Sequence, residues 1–122
     1  MTEKMILIVE DNEDNSFLAE KVLKYYGFET YVIPHGEEAL HYCETNIPDL
    51  ILMDLSLPDI DGLEVTRQLR NKEQFKAIPI IAVTAHATPN IQEVADQSGM
   101  TDFLTKPFLP TDLVSIVRKY LS

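Results

Sequence analysis

Runs of continuously apolar residues are the feature that most constrains the fold of this chain. Three of them are clear, at residues 5–9, 50–53 and 78–83. A strand with one face in water alternates apolar and polar residues, whereas a strand covered on both faces is apolar throughout. The runs therefore predict buried strands of a parallel sheet, with helices packed on both of its faces.

The segments between these runs complete a repeating order of strand and helix. Weaker strands are predicted over 28–33 and 102–105, and helices over 14–26, 36–45, 62–71, from Thr88 to before Gly99, and from Pro110 onward. Helical spacing in the first helix predicts an apolar stripe of Phe17, Leu18, Val22, Leu23, Tyr25 and Tyr26. A strand followed by a helix, five times over, predicts one doubly wound α/β domain over residues 1–122, a (βα)5 three-layer sandwich.

Charge and hydropathy exclude several classes of protein. Ten Lys and Arg against twenty Asp and Glu give a formal net charge of −10, whereas nucleic-acid binding depends on basic side chains. No apolar stretch approaches the ~18 residues that a membrane span needs, and the first residues do not form a secretory signal. The single cysteine, Cys43, has no partner for an internal disulfide. We therefore expect a cytoplasmic protein that binds neither nucleic acid nor membrane.

Polar side chains follow the predicted strands at their carboxyl ends. Glu10 and Asp11 follow the first strand, Asp54 the third, Thr84 the fourth and Lys106 the fifth. Each one alone also fits a turn residue, a helix cap or a surface charge. Ligands of open parallel sheets bind beyond the carboxyl ends of the strands, so the coincidence of all five favours a shared site.

Electrostatics indicates what such a site would bind. Two like charges 4 Å apart repel by about 4 kcal/mol at an effective dielectric constant of 20, and Lys106 offsets only one of the three carboxylates. A divalent cation would offset the remainder, and oxygen ligands completed by water and phosphate suit Mg²⁺. The three histidines lie in different segments, so no cluster of His and Cys indicates a transition metal. The sequence therefore predicts a magnesium site at Glu10, Asp11 and Asp54.

The ordered set of motifs resembles the CheY-like receiver domains of two-component response regulators. The motifs are Ile-Val-Glu-Asp-Asn at 8–12, Met-Asp-Leu-Ser-Leu-Pro at 53–58 with Gly62 eight residues after Asp54, Val-Thr-Ala at 83–85, and Lys-Pro-Phe at 106–108. The resemblance covers essentially the whole chain. It implies a flavodoxin-like fold whose five-stranded parallel sheet has the order 2-1-3-4-5, and a cis peptide bond between Lys106 and Pro107.

The resemblance also implies a role for each acid. Asp54 would accept a phosphoryl group from a phosphohistidine on a histidine kinase or a histidine phosphotransfer protein. Asp11, Asp54 and the backbone carbonyl of Ser56 would coordinate Mg²⁺, and Glu10 would hold the ion through water. The protein would be a phosphoryl acceptor that assists its own phosphorylation and dephosphorylation, and not a turnover enzyme.

The resemblance also implies which residues bind the phosphoryl group and which change conformation after phosphorylation. Thr84 and Lys106 would bind the phosphoryl oxygens. Phe103 stands at the switch position where tyrosine is frequent, and would move into space vacated when Thr84 turns towards the phosphate. The fourth helix, fifth strand and fifth helix would then change shape and bind a downstream protein target. Ser56 and His86 occupy variable positions thought to tune the lifetime of the phosphate. We expect a monomer, with phosphorylation-dependent dimerisation as the alternative.

Three other functions fit the sequence less well than a stand-alone receiver. A phosphatase of the haloacid dehalogenase type also has an aspartyl nucleophile and uses Mg²⁺, but it needs an acid two residues further on, where this chain has Ser56. A phosphorylation-independent scaffold on the same fold would have lost an acid, the threonine or the lysine, and none is lost. A dinucleotide-binding domain needs a glycine-rich loop, which is absent.

The start of the chain and the lack of a linker favour a complete protein over a piece of a hybrid kinase.

Overall fold

The computed structural model describes residues 3–57 and 59–121. In these residues, the five strands of one parallel sheet alternate along the chain with five α-helices. The elements are β1 (Met5–Val9), α1 (Glu13–Tyr25), β2 (Glu29–Ile33), α2 (Gly36–Tyr42), β3 (Leu50–Asp54), α3 (Gly62–Arg70), β4 (Ile80–Thr84), α4 (Pro89–Gln97), β5 (Asp102–Thr105) and α5 (Pro110–Tyr120). All pairings are parallel and the order is β2-β1-β3-β4-β5, which confirms the predicted fold class and strand order. Pro58 of the third-strand motif lies outside the described residues.

The central strands are buried because both faces of the sheet are covered. Every residue of β3 and of β4 is buried. Alternate side chains of each strand enter opposite apolar layers. Leu7 and Ile51 pack in the layer beneath α2, α3 and α4, and Ile8 and Leu52 pack in the layer beneath α1 and α5. The continuous apolar runs of the sequence follow directly from this arrangement.

The strand order positions a crevice at one edge of the sheet. The chain passes from β1 outward to β2 on one side and returns to β3 on the other. The connecting helices therefore lie on opposite faces, and a crevice opens beyond the carboxyl ends of β1 and β3. Val9 is paired with Met53 in the register, so the residues that follow these two strands lie side by side.

Several predicted boundaries differ from the observed ones. Helix α2 ends at Tyr42 and not at residue 45, because the N–H groups that follow it form a turn: Glu44 donates to the carbonyl of His41. Strand β4 is Ile80–Thr84 and not 78–83, since Pro79 has no N–H to donate to a ladder. A 3-10 helix at Glu73–Phe75, which was not predicted, buries the Phe75 ring.

The apolar side chains of α1 face in two directions, which corrects the predicted single stripe. The stripe that packs on the sheet consists of Ser16, Ala19 and Leu23. Of the predicted stripe, Leu23 is buried and Val22 half-buried, whereas the side chains of Phe17, Leu18, Tyr25 and Tyr26 are exposed. Residues four apart lie along one side of a helix, and positions 17, 21 and 25 form a side that points away from the sheet. In the described part of the chain, no helix has the length and hydropathy to cross a membrane.

Candidate functional site

Three carboxylates meet in the crevice beyond β1 and β3. Asp54 is the last residue of β3, Glu10 directly follows β1, and Asp11 begins the connection to α1. One carboxylate oxygen from each lies within 4.8 Å of the others. Glu10 and Asp54 are buried, whereas Asp11 is exposed. The structure therefore brings together the three acids that the sequence analysis selected, and leaves one side of the cluster open to solvent.

Lys106 supplies the positive charge inside this cluster. Its Nζ lies 2.7 Å from Glu10 Oε1 and 3.7 Å from Asp54 Oδ1. The side chain follows β5, where the backbone N–H of Lys106 donates to the carbonyl of Thr84 at 2.8 Å, and the Lys106–Pro107 peptide is cis. One ammonium against three carboxylates leaves two negative charges uncompensated. The site therefore favours a further cation.

The surroundings of Asp54 disfavour the ionised form of its carboxyl group. Burial raises the pKa of Asp54, and the neighbouring Glu10 raises it further. The Ser56 N–H, which donates to Asp54 Oδ1 at 2.9 Å, and the Lys106 ammonium act in the opposite direction, but the pKa remains above its ordinary value. A cation bound next to Asp54 would therefore stabilise the ionised form of this carboxylate.

The donor set fits a magnesium ion. The three acids offer oxygen ligands only, and Mg²⁺ binds to proteins through one or two carboxylates while keeping several waters. The exposed side of Asp11 leaves room for those waters. Ser56, whose backbone carbonyl was predicted as a further ligand, lies two residues beyond Asp54 and already contacts it through its N–H.

Thr84 and Phe103 lie on the strands next to the acids. Thr84 ends β4, is buried, and its hydroxyl accepts the His86 N–H at 3.1 Å. The register pairs Asp54 with Val83, so Thr84 lies one residue further towards the open edge. Phe103 is half-buried in β5 beside a cleft of about 160 Å³ between this strand and α4. Thr84 therefore belongs to the same edge as the acids, and Phe103 lies deeper along the next strand.

A groove adjoins the site on the side of α1. It has a volume of about 300 Å³, and Lys106 lies at its wall together with the apolar side chains of Leu18, Ala85, Pro107 and Phe108. Phe17 lies beside Leu18 in α1 and is 65% exposed. An apolar surface therefore borders the charged cluster.

The sequence analysis missed the residue that holds the loop after β3. Asp59 accepts hydrogen bonds from the backbone N–H groups of Gly36 and Glu37, each at 2.9 Å. One sequence signal was available: His35 precedes α2 at the capping position, where a short oxygen-bearing side chain is usual. A capping position without such a side chain leaves the first N–H groups of the helix open to another partner, which here is Asp59.

Comparison with known proteins gives a family and close relatives. A family model of the response regulator receiver domain matches residues 6–118. The polar-differentiation response regulator DivK of Brucella ovis is 40% identical over 118 residues, which cover 97% of this chain and 96% of that protein.

Solved structures of receiver domains have the same fold. The receiver domain of the sensor histidine kinase PA1611 from Pseudomonas aeruginosa PAO1 is 37% identical, with a TM-score of 0.91 and 98% of each chain covered. That structure holds a magnesium ion coordinated in its active-site cleft. The chemotaxis protein CheY4 of Vibrio cholerae is 26% identical, with a TM-score of 0.93 over 98% of this chain and 99% of that one.

Proposed function

This chain belongs to the response regulator receiver domain family of two-component signalling, and on that premise we propose that Asp54 accepts a phosphoryl group in the presence of Mg²⁺. The donor is a phosphohistidine on a histidine kinase or a histidine phosphotransfer protein, and the exchange takes place in the cytoplasm. One observation carries the proposal: Asp54 ends a buried strand within a cluster of two further acids and one lysine.

The transfer needs little covalent help from the protein. An oxygen of Asp54 attacks phosphorus, the P–N bond of the phosphohistidine breaks, and an acyl phosphate forms while the imidazole leaves. The transition state is loose, so alignment and charge neutralisation matter most. Lys106 Nζ, 3.7 Å from Asp54 Oδ1, offsets charge on the incoming phosphoryl oxygens. Glu10, Asp11 and Asp54 are the residues that would hold a Mg²⁺ ion, which would supply further charge neutralisation to the transfer.

The groove beside Lys106 is the route by which the donor protein approaches. Its wall includes the apolar side chains of Leu18 and Phe108, and exposed apolar surface next to a reactive site is typical of a protein contact. A donor helix packed against Leu18 and Phe108 would present its histidine to Asp54. A small-molecule substrate would not require this surface.

The residues of the site fit the two alternative functions less well. A phosphatase with an aspartyl nucleophile needs a general acid two residues after Asp54, and Ser56 occupies that position. A phosphorylation-independent scaffold would not need Lys106 placed between Glu10 and Asp54. We therefore propose an acceptor that assists its own phosphorylation and dephosphorylation, and not a turnover enzyme.

Incubation with a small phosphodonor tests the proposal directly. With Mg²⁺ and acetyl phosphate the protein is expected to gain one phosphoryl group, because the metal and Lys106 together offset the charge of the donor. Intact-mass spectrometry measures the gain, and chelation of Mg²⁺ with EDTA should prevent it. Equal labelling with and without EDTA would contradict the role given to the metal, and no labelling with Mg²⁺ and a cognate donor would contradict the function.

We further propose that the signal leaves through α4, β5 and α5. On phosphorylation the Thr84 hydroxyl, which in the resting protein accepts the His86 N–H, turns to donate its O–H to a phosphoryl oxygen, and the Phe103 ring shifts into the space that this movement opens. Asp102 connects β5 with α5, because it accepts the Tyr120 hydroxyl at 2.6 Å and Lys119 Nζ at 3.2 Å. A shift in β5 is therefore passed to α5, where a downstream protein binds.

Replacing Thr84 with alanine tests this route. The Thr84→Ala variant is expected to accept phosphate on Asp54 yet fail to shift the amide NMR signals of Phe103 and residues 88–98, because the moving hydroxyl is gone. Thr105→Ala makes the same chemical change at the exposed, register-paired position of β5 and should switch as wild type does. Wild-type shifts in Thr84→Ala would exclude the coupling between Thr84 and Phe103.

A further inference from the structure

We propose that Asp59 is a positioning residue for phosphoryl transfer, which fastens the loop after the phosphoacceptor to the backbone at the start of α2. The described residues of this loop, 55–57 and 59–61, are called the β3–α3 loop. By fixing its tip, Asp59 holds Ser56 in place and thereby orients the Asp54 carboxylate. The reaction in question is the one given under the proposed function, on which this inference rests.

The attachment is made by two hydrogen bonds between distant parts of the chain. Asp59 Oδ1 accepts the N–H of Gly36 and Oδ2 accepts the N–H of Glu37, both at 2.9 Å. Desolvation pushes the pKa of Asp59 upward, but the backbone N–H groups of Glu37 and Gly36, together with the local ones of Ile60 and Asp59 itself, hold the pKa below its ordinary value. Asp59 is therefore ionised at neutral pH, and charge-assisted bonds of this kind are stronger than neutral ones.

The residue at the N-terminal capping position of α2 does not replace this attachment. His35 occupies the capping position with extended backbone angles, φ −129° and ψ 143°, but its side chain makes no capping hydrogen bond. The first N–H groups of a helix have no partner within the helix. Asp59 supplies that partner for Gly36 and Glu37 from the β3–α3 loop.

Packing provides independent evidence that the β3–α3 loop and the start of α2 are in close contact. A Cβ added to the buried Gly36 would lie 2.7 Å from Ile60 Cγ2 and 3.2 Å from the Ile60 carbonyl oxygen. Only glycine allows the backbones to approach so closely. The residue next to Asp59 thus rests directly on the backbone that Asp59 binds.

Both ends of the β3–α3 loop are attached to the phosphoacceptor itself. At the first end, Ser56 N–H donates to Asp54 Oδ1 at 2.9 Å. At the other end, a Cβ on Gly62 would collide with the Asp54 carbonyl oxygen, so α3 begins in contact with the backbone of Asp54. Asp59 holds the tip between these two ends. Releasing the tip should therefore loosen the bond from Ser56 that orients the carboxylate.

The Asp59→Ala variant tests the attachment. We expect the Mg²⁺ dissociation constant to rise roughly five- to tenfold, within or just below the range for residues that support metal ligands, and the rate of labelling by acetyl phosphate to fall by a similar factor. Isotope-labelled NMR gives the dissociation constant from a Mg²⁺ titration. In the metal-free protein, the Ser56 amide should exchange its hydrogen faster.

A second substitution separates positioning from simple helix capping. His35→Ser places an oxygen at the capping position, and with Glu38 at the third helical residue it completes a capping box. In the Asp59→Ala background it should restore the melting temperature while leaving Mg²⁺ affinity and Ser56 exchange impaired. Recovery of all three together would show that Asp59 is only a cap for α2 and would overturn the proposal.

The readouts also separate this inference from the proposed function. Wild-type Mg²⁺ affinity and Ser56 exchange in Asp59→Ala would overturn the positioning role even if wild type is phosphorylated. Failure of wild type to accept phosphate, with altered affinity or exchange in Asp59→Ala, would contradict the function alone. Asp59→Asn keeps one acceptor oxygen and should give intermediate values, which provides the same test if Asp59→Ala does not fold.

Discussion

Asp54→Asn is expected to accept no phosphoryl group from acetyl phosphate and Mg²⁺, under conditions in which wild type gains one. An asparagine amide has nearly the same shape, and its oxygen still accepts the Ser56 N–H that now bonds Asp54 Oδ1. It lacks the negative oxygen that attacks phosphorus, however, so an acyl phosphate cannot form. The change therefore removes the reaction and leaves the fold unchanged.

The matched control for this variant is Asp61→Asn. Asp61 is exposed in the same loop and caps α3 by accepting the Leu63 N–H at 2.8 Å, and asparagine caps helices about as well as aspartate. This control loses the same charge seven residues away and should be labelled as wild type is. Intact-mass spectrometry that finds equal labelling of Asp54→Asn would assign the acceptor to another residue.

The same substitution should stabilise the metal-free protein in a pH-dependent way. Because burial raises the pKa of Asp54 in the folded state, the charged carboxylate costs stability in full above that pKa. As the pH falls through the folded pKa towards the unfolded value of about 3.9, wild type takes up the proton and the cost disappears. Asp54→Asn should therefore melt at a higher temperature than wild type at pH 8, with the difference narrowing on acidification.

Much of the fold could be predicted because the apolar runs report burial directly. Residues 50–53 are apolar throughout since both faces of β3 are covered, and the residues that follow the strands collect at one edge for the same topological reason. The acids of the candidate site were therefore accessible to sequence reasoning. Their meeting depends on strand order and register, and the order came from the family resemblance and not from the apolar pattern.

Other features depend on packing that no local pattern encodes. The exposed Phe17 and Tyr25 have the same helical spacing as buried residues, and only the direction from which the sheet approaches α1 decides which stripe is covered. Asp59 reaches an element more than twenty positions earlier in the chain. Similarly, the sequence placed Lys106 near three acids but did not show that its shorter contact is with Glu10, at 2.7 Å, and not with Asp54.

This pairing gives Lys106 two separate roles, one in the stability of the resting protein and one in phosphoryl transfer. Lys106→Met keeps most of the side-chain length but leaves Glu10 and Asp54 buried without their cation. Removing one partner of a buried ion pair costs about 3 kcal/mol of stability. In transfer, losing one preorganised donor to developing negative charge lowers the rate by about 10²–10³-fold. We therefore expect a destabilised protein that is phosphorylated very slowly.

Magnesium should restore part of the stability that Lys106→Met loses, which is the first effect, but not the rate of phosphorylation, which is the second. With Lys106 gone, Glu10 and Asp54 have no competing cation, so Mg²⁺ should bind more tightly than to wild type and recover part of the lost stability. The phosphoryl oxygens still lack the ammonium, so labelling should stay slow at saturating Mg²⁺. Urea unfolding with and without Mg²⁺ measures the first effect, and the time course of intact mass measures the second. Lys76→Met, at an exposed position, should change neither. Wild-type labelling by Lys106→Met at saturating Mg²⁺ would mean that the metal alone neutralises the phosphoryl group and that Lys106 only balances the resting acids.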